Sequence, residues 1–445
     1  MSTTALASLA AQFLPSSASA SFTLGIDNAR HLLNRTGYGC TLNEARTFAQ
    51  LGSDEAIELL LSAAEAQIEL ELPSWANERV LSLYEQNQLD SDSRRSRRQL
   101  FIMRKEELQI WQTRKILETD SPLREKMVMF WHRLFYAPIV DVPEPTQYCQ
   151  YIRIIREHAF GDYREMLRAL MQNPAFIQAH NGHRNMRLRS DERFTTTLLE
   201  HMTLGPGVAD RRDLRGMQKT LTGLSLDKDD GSYVFNPEQH VDGDKTVFEQ
   251  TAPFEPVDAP DLILQHPQNA RWVVKCMWQE FASEEIEDDV LDELSNDFRR
   301  HHSNLQLLQS ILLHPNFWKN EHRGALMKSP LDLIISTSRL FDQYLLSAEE
   351  TFEVSKRLGL EIFHQNPSFT NFGWVNPSTL PLRLRLLRRM SRGTEQMDTA
   401  LYDWAQDQNL LEQITLPIPP QRPVTATSVQ GKIAAHLLDL GFQLK

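Results

Sequence analysis

The sequence predicts an all-α, multi-helical protein of two packed helical halves, with one small β-hairpin insertion near residues 224–248. Three observations predict this fold. Apolar residues recur at helical spacing through most of the chain. Segments typical of β-strands, flanked by turn residues, are confined to one stretch. The length of 445 residues exceeds the size at which one hydrophobic core usually continues to grow, so two subdomains are expected.

The N-terminal half is expected to span residues 27–223, after a flexible leader over residues 1–26. Pro122 marks the start of one of its helices, because the first helical position does not need the N–H that proline lacks. Ser121 is the expected N-cap of that helix. The other helices predicted in this half are short pieces of residues 27–61, the runs 94–117, 147–158 and 163–171, and a short helix that starts at Asn173-Pro174.

The hairpin insertion is expected over residues 224–257. Residues 224–226 and 233–235 flank the turn residues 229–231 (Asp-Asp-Gly), an arrangement typical of a β-hairpin. A second turn is predicted at residues 242–244 (Asp-Gly-Asp).

The C-terminal half is expected over residues 258–416, followed by a proline-rich linker and a docking helix within residues 417–445. Residues 363–376 are predicted to be irregular and rich in aromatic side chains. The helices predicted in this half cover residues 269–281, 287–298, 305–313 and 330–345.

The composition limits the function. A formal charge of −12 argues against a general nucleic-acid binder, because contacts to phosphates need a positive field. No transmembrane segment is expected, because no run of about 18 apolar residues occurs. Three widely spaced cysteines predict reduced thiols. The absence of basic residues before Arg30 favours a cytoplasmic location. Export to the periplasm is the alternative, since Ala18-Ser19-Ala20 resembles a cleavage site.

Two basic runs depart from the acidic balance of the chain. Such runs are usually solvated helix faces, and the alternative is docking of an acidic partner or of a phosphate-bearing ligand. In the run from Arg383 to Arg392, an anion-binding site would use Arg383, Arg388 and Arg389. The runs are Arg94, Arg95, Arg97 and Arg98, and Arg383, Arg385, Arg388, Arg389 and Arg392.

Seven groups of motif-like residues follow one another along the chain. They are His31 to Gly39, Arg124 to Phe135, His158 to Arg164, Leu198 to Gly205 with Thr220 to Gly223, Phe235 with His240 to Val247, Lys328 to Pro330, and Phe372 to Asn376. In order and spacing they resemble the pattern of the bacterial DUF1800 family of proteins of unknown function. The pattern includes HLLxRxGFG, RExMxxFWHNHF, KSPxE and GWxxGxxWIN. Each piece is weak alone, and together they cover about residues 29–387.

The resemblance implies a largely helical protein. Members of the family are often exported and are frequently encoded beside a sulfatase-like companion, and no reaction is implied. This chain departs from the family pattern where chemistry would most plausibly lie. Residues 191–197 have lost most of an NENYARE run, Leu134 replaces the second histidine of WHNHF, and Val241 replaces the aspartate of an HD pair. These losses indicate a diverged paralogue.

His132 is the first candidate for a functional side chain. It lies on the helix that starts at Pro122, on the face opposite an apolar stripe. Because its own face is apolar as well, the whole helix is expected to be buried. A buried imidazole needs partners, because an unpaired polar group costs about 1–3 kcal/mol. His132 is therefore expected either to be hydrogen-bonded structurally or to belong to a site.

The other candidates are Glu192, Glu200 and His240. The two glutamates share the polar face of a predicted helix but lie about 12 Å apart along its axis, so they need other elements to form a site. A solvated face is the alternative. His240 lies on the hairpin with Asp242 and Lys245, where it either serves acid–base or metal chemistry or is part of ordinary turn structure.

Two functions follow from these residues. The first is binding of a protein partner, for which the sulfatase-like companion implied by the resemblance is a candidate. The second is metal-dependent hydrolysis, with His132, Glu192, Glu200 and His240 converging on a cleft and a divalent ion held by His132 and His240. The second function requires that helices and hairpin bring these four side chains together.

Overall fold

The computed structural model describes residues 21–66, 70–343, 345–364, 371–393 and 403–445. These residues form a mostly helical protein with two small antiparallel sheets, which confirms the predicted fold class. Within this part of the chain, no helix combines the length and the apolar character needed to cross a membrane.

Eleven α-helices precede the strands in the part of the chain that the structure describes. Their order follows the predicted helices closely. They are α1 (Gly25–Thr36), α2 (Leu42–Ala49), α3 (Ser53–Glu65), α4 (Leu83–Gln88), α5 (Ser91–Glu118), α6 (Pro122–Leu134), α7 (Pro145–His158), α8 (Tyr163–Met171), α9 (Pro174–Ala179), α10 (Arg193–Thr196) and α11 (Arg211–Thr220).

The helices after the strands complete the described fold. They are α12 (Ala259–Gln265), α13 (Pro267–Phe281), α14 (Asp288–His301), α15 (Asn304–Leu313), α16 (Pro330–Leu340), α17 (Ala348–Arg357), α18 (Thr379–Gly393), α19 (Asp403–Gln406), α20 (Gln408–Thr415) and α21 (Val429–Leu437). Helix α16 is shorter than predicted, and α21 lies within the segment predicted to contain a docking helix. Of the predicted irregular segment 363–376, residues 365–370 lie outside the described residues.

The strands form two hairpins. Strands β1 (Leu224–Leu226) and β2 (Tyr233–Phe235) pair antiparallel, with Leu224 opposite Phe235, as predicted. Strands β3 (Lys245–Val247) and β4 (Gln250–Ala252) also pair antiparallel, and β4 was not predicted. Strand β3 lies so close to α11 that a Cβ on Gly216 would overlap the carbonyl oxygen of Thr246, which explains the glycine.

Local capping explains where several helices begin. The side chain of Asn173 accepts a hydrogen bond from the N–H of Phe176 and starts α9. Ser329 and Asp332 form a reciprocal capping box at the start of α16. Pro122 occupies the start of α6 as predicted, but Ser121 makes no side-chain cap there. The Ser121 hydroxyl is buried without a hydrogen-bond partner among the described residues.

The helix predicted over residues 191–203 changes its geometry part of the way along. Only α10 is α-helical, and Thr197–Thr203 continue as a π-helix in which the N–H of Leu204 bonds to the carbonyl of Leu199. The Thr203 hydroxyl donates to the carbonyl of Leu198. A π-helix is rare and is often found near functional sites.

One hydrophobic core runs through both predicted halves. It contains Met127 and Ile155 from the first half and Val273 and Ile311 from the second. The division at residues 223 and 258 stays a prediction. The three cysteines are free thiols, as predicted, and Cys40 and Cys149 are buried.

Candidate functional site

Four of the motif stretches converge on one buried cavity. Tyr38 comes from the first stretch, Lys126 and Arg133 from α6, Ser329 and Asp332 from the start of α16, and Trp374 from the last stretch. The cavity has a volume of about 50 Å³. Its lining is Tyr38, Lys126, Met129, Phe130, Arg133, Glu280, Met327, Ser329, Leu331, Asp332, Leu360, Trp374 and Lys445. We call it the cluster cavity.

Asp332 lies at the centre of the ionic contacts around this cavity. Its Oδ1 accepts from the Lys126 ammonium at 2.6 Å, and its Oδ2 accepts from the Lys445 ammonium at 2.9 Å. Its Oδ2 also accepts from the Ser329 N–H at 3.0 Å. Burial opposes ionisation of Asp332, but Lys126 and Lys445 hold the pKa of its carboxyl far below the usual range. Asp332 is therefore a fixed anion.

Glu280, on α13, supplies the second carboxylate. Its Oε2 lies 2.5 Å from the Arg133 guanidinium and its Oε1 lies 3.7 Å from the Lys126 ammonium. Burial opposes its ionisation, yet Arg133, Lys445 and Lys126 lower the pKa of Glu280. Lys126 therefore bridges both carboxylates, and its ammonium also lies 4.7 Å from the ring centre of Tyr38.

Three further cations surround Asp332 without pairing directly with it. Arg35 donates to the carbonyl of His322, while its Nε and one terminal nitrogen are buried without a hydrogen-bond partner among the described residues. Arg383 donates to Gln443 and to the carbonyl of Lys328, each at 2.7 Å. The Lys328 ammonium lies 3.6 Å from the ring centre of Phe442.

Burial makes these three charges costly. It lowers the pKa of Arg35 to about 9, that of Lys328 to about 7 and that of Arg383 to about 10, although Asp332 acts in the opposite direction on all three. A charged group that is transferred out of water loses the free energy of its hydration. Attraction to a distant carboxylate compensates only part of that free energy.

The ion cluster carries an excess of positive side-chain charge. Six cations share two side-chain carboxylates, which leaves four positive charges in excess when all six are protonated, although the whole chain has a formal charge of −12. We define the ion cluster as Arg35, Lys126, Arg133, Glu280, Lys328, Asp332, Arg383 and Lys445. Such an excess attracts anions.

Replacing Lys328 by methionine is expected to stabilise the fold by at least about 1 kcal/mol at pH 7, since one unit of pKa corresponds to about 1.4 kcal/mol. In the folded protein the pKa of Lys328 is about 7, below the ordinary value of 10.5. The ammonium charge therefore destabilises the folded protein, and this effect is complete below pH 7. Between the two values the folded chain loses the proton that the unfolded chain keeps, and the stability of the wild type rises with pH. The difference should therefore shrink towards pH 10.

Urea denaturation of wild type and Lys328→Met between pH 6 and 10 measures this difference. Lys275→Met, at an exposed lysine on α13, is the matched control and should change stability little at any pH. A Lys328→Met protein less stable than the wild type at pH 6 would contradict a destabilising ammonium.

A second buried ionic network lies on the neighbouring face of α6. The guanidinium of Arg156 donates to both oxygens of Glu125, at 2.9 and 2.7 Å, and to the Gln112 side chain at 3.0 Å. Gln112 in turn donates to Glu125 at 2.9 Å. Glu125 and Arg156 line a groove of about 1100 Å³ that also contains Arg124 and Phe160. The network adjoins the ion cluster, because Glu125 and Arg156 both act on the pKa of Tyr38.

His132 is buried, as expected. Its ring lies 5.1 Å from the ring of Tyr151 and 4.8 Å from that of Phe363, whose backbone has a positive φ of 61°. Neither ring nitrogen has a hydrogen-bond partner among the described residues. Burial and the nearby charge of Arg156 lower the pKa of His132 to about 3, so the imidazole is neutral at pH 7.

His240 is also buried, but both of its nitrogens are engaged. Nδ1 lies 2.8 Å from the carbonyl oxygen of Thr222, to which it donates, and 3.1 Å from the Thr222 hydroxyl. Nε2 accepts from the Lys245 ammonium at 2.8 Å, and Lys245 also donates to the carbonyl of Phe254. These contacts tie the second hairpin to residue 222. Asp242 pairs instead with Arg187 at the surface.

The predicted glutamates lie on another part of the surface. Glu192 is exposed at the start of α10, and Glu200 is partly buried in the π-helix. Within the described ranges, no hydrogen bond, ion pair or ring contact joins any two of His132, Glu192, Glu200 and His240. Nor does any group of three or more histidine, cysteine, aspartate or glutamate side chains there have the geometry to hold a metal ion.

The second arginine run is divided between the interior and the surface. Arg383 is buried in the ion cluster. Arg388 and Arg389 are exposed, and Arg389 pairs with Glu350 at 2.9 Å. The three therefore do not face one common site, and only Arg383 takes part in the cluster.

Sequence reasoning missed Lys126, Glu280, Asp332 and Lys445. One signal could have found Asp332: it stands where the KSPxE pattern has its acidic residue, two positions after Pro330. Lys126 directly precedes the apolar run Met127 to Trp131 of α6, which is a second signal.

Comparison with known proteins gives one match. A family model described as "Protein of unknown function (DUF1800)" matches residues 31–439 of the 445. No curated protein and no solved structure matches the chain.

Proposed function

The chain belongs to the DUF1800 family, and from that premise and the ion cluster we propose that it binds a small anionic ligand in the cluster cavity. The observation that carries the proposal is the excess of four positive side-chain charges around the cavity. A bound anion would relieve the repulsion among these cations and the loss of their hydration.

The cavity lining suits an oxyanion. Lys126, Arg133 and Lys445 line it directly and provide ammonium and guanidinium donors, and Ser329 adds a hydroxyl. Charge-assisted hydrogen bonds of this kind are the strongest that side chains make. Arg35, Lys328 and Arg383 stand outside the lining and would act on the ligand through their field.

The size of the cavity limits the ligand. A single water molecule needs a cavity of about 10–15 Å³. A cavity of about 50 Å³ therefore holds an end group of a few heavy atoms. A phosphate, sulfate or carboxylate group meets that limit. A divalent cation does not suit this cavity, because it would add charge to a site that already has positive charge in excess.

Replacing Lys445 by methionine is expected to weaken anion binding about tenfold or more, because one charged hydrogen-bond donor is lost from the lining. The fold should tolerate the change, since burial lowers the pKa of Lys445 to about 8 and its charge is therefore not favoured in the folded state. Binding by the wild type should also weaken as the pH rises from 6 to 9, because Lys328 and Lys445 lose their protons.

Calorimetric titration with inorganic phosphate, sulfate and acetate at constant ionic strength measures this binding, and thermal unfolding with the same anions checks it. Lys275→Met is the matched control and should bind like the wild type. Equal affinity of Lys445→Met and wild type would overturn the assignment of the cavity. So would the same stabilisation by chloride as by the oxyanions.

Two functions inferred from the sequence stay predictions beside this proposal. One is binding of a protein partner, such as a sulfatase-like companion. The other is metal-dependent hydrolysis at His132, Glu192, Glu200 and His240, with a divalent ion on the two histidines. The engagement of both His240 nitrogens with Thr222 and Lys245 means that this histidine would have to give up those contacts to bind a metal.

A further inference from the structure

A groove beside the N-terminal half of α5 has not entered the proposed function. It lies between the N-terminal half of α5, helix α4 and the first hairpin, and its volume is about 620 Å³. Pockets of about 300–1,000 Å³ are typical of sites that hold a ligand or a short segment of chain. We call it the arginine groove, because Arg94, Arg97 and Arg98 line it.

The lining of the arginine groove combines apolar and cationic side chains. Arg97 is already paired with Glu144 at 2.7 Å and lies over the ring of Phe101. Arg94 donates to the backbone carbonyl of Asn87, and its charge helps to lower the pKa of Asp90 at the start of α5. The apolar side chains of the lining are Val80, Leu81, Leu83, Leu89, Phe101, Pro143 and Leu226.

The remaining charges of the groove are unbalanced. No carboxylate pairs with the side chains of Arg94, Arg98 and Lys228 among the described residues. Of the two carboxylates in the lining, Glu144 is bound by Arg97, and Asp227 accepts from the N–H of Asp229. The groove therefore offers free cations beside an apolar floor, on a chain whose formal charge is −12.

Apolar side chains on α4 and α5 are also exposed; Leu83 lines the groove, and Tyr84, Ile102 and Met103 do not. Leu83 and Tyr84 on α4 are 49% and 73% exposed, and Ile102 and Met103 on α5 are each 65% exposed. The N-terminal half of α5 thus projects with apolar residues that no described residue covers. Exposed apolar groups rimmed by polar ones mark interaction sites.

We propose that the arginine groove binds a short acidic segment of a partner protein, whose carboxylates pair with Arg94 and Arg98 and whose apolar side chains contact the groove floor. Arg94 and Arg98 are one turn apart, about 6 Å along the helix axis. Carboxylates two residues apart in an extended segment have about the same spacing.

Fluorescence anisotropy with a labelled peptide of alternating glutamate and leucine tests the proposal on the full chain. The acidic peptide should bind, and a peptide of alternating lysine and leucine should not. The double variant Arg94→Gln/Arg98→Gln should bind the acidic peptide at least about tenfold more weakly, with unchanged thermal unfolding. Arg299→Gln/Arg300→Gln, on α14, is the matched control and should bind like the wild type.

Three results would overturn the proposal. The first is an affinity for the acidic peptide that is equal in the groove variant and the wild type. The second is equal binding of the lysine peptide, which would mean that apolar contact alone is responsible. The third is self-association of the wild type in sedimentation that the groove variant abolishes, which would assign the groove to a second copy of the chain. Loss of phosphate binding in Lys445→Met leaves this proposal unaffected, because Lys445 does not line the groove.

Discussion

Replacing Asp332 by asparagine should destabilise the folded protein by about 3–5 kcal/mol, which is the effect of removing one member of a buried ion pair. Lys126 and Lys445 would lose the carboxylate that each contacts within 3 Å, and Lys126 would keep only Glu280 at 3.7 Å. The amide can still accept the hydrogen bond from the Ser329 N–H, so the loss comes from charge and not from the helix cap.

Guanidinium denaturation of Asp332→Asn at pH 7 measures this loss. Asp297→Asn is the matched control, since Asp297 pairs with the exposed Arg300 one turn along α14 and should change stability by less than about 1 kcal/mol. Added phosphate should stabilise Asp332→Asn at least as well as the wild type, because the variant has a larger excess of positive charge. A change below about 1 kcal/mol in Asp332→Asn would mean that water reaches the cluster and screens it.

Replacing Arg156 by methionine should cost about 3–5 kcal/mol, because Glu125 would stay buried without its bidentate partner. Gln112 would remain as a neutral hydrogen-bond donor to Glu125, and this bond would compensate only a small part of the lost stability. The pKa of His132 should also rise, since Arg156 is one of the two causes that lower it.

The double variant Glu125→Met/Arg156→Met separates the energy of the ion pair from the energy that each side chain contributes by packing. Because no charge is left unpaired, this protein should be clearly more stable than Arg156→Met alone. Urea denaturation of the two single variants and the double variant gives the coupling energy. Additive losses in the double variant would show that each side chain contributes by packing, as Arg156 does over the ring of Trp111.

The fold could be predicted where local signals are sufficient. Helix α8 has the predicted limits, because Gly161 and an apolar stripe define it within a few residues. Helix α16 ends earlier than predicted, at Leu340, and Phe341 lies beyond its end. Strand β4 was missed, because Gln250-Thr251-Ala252 lacks alternation and its turn uses positive φ at Phe248 and Glu249, residues that do not signal such a turn.

The candidate site could be predicted only in part. Burial of His132 followed from the apolar faces of one helix, and the structure confirms it. The ion cluster could not be derived in this way, because the partners of Asp332 are 206 and 113 residues away in the chain. Periodicity carries no information on such pairs. It also could not show that Arg383 turns inward while Arg389, on the same helix, stays at the surface.

The way Lys445 reaches Asp332 has a consequence for biosynthesis. The C-terminal segment is held by backbone bonds from Lys328 to Gln443 and from Lys445 to Leu326, and it adds a cation to a site whose other members come from helices made much earlier. During translation the helices near the N-terminus can pack as they emerge, and Lys126 can pair with Asp332, but Asp332 gains its second cation only after residue 445 has been made. Closure of contacts this distant in sequence is slow. Anion binding would therefore report that the segment carrying Lys445 has docked.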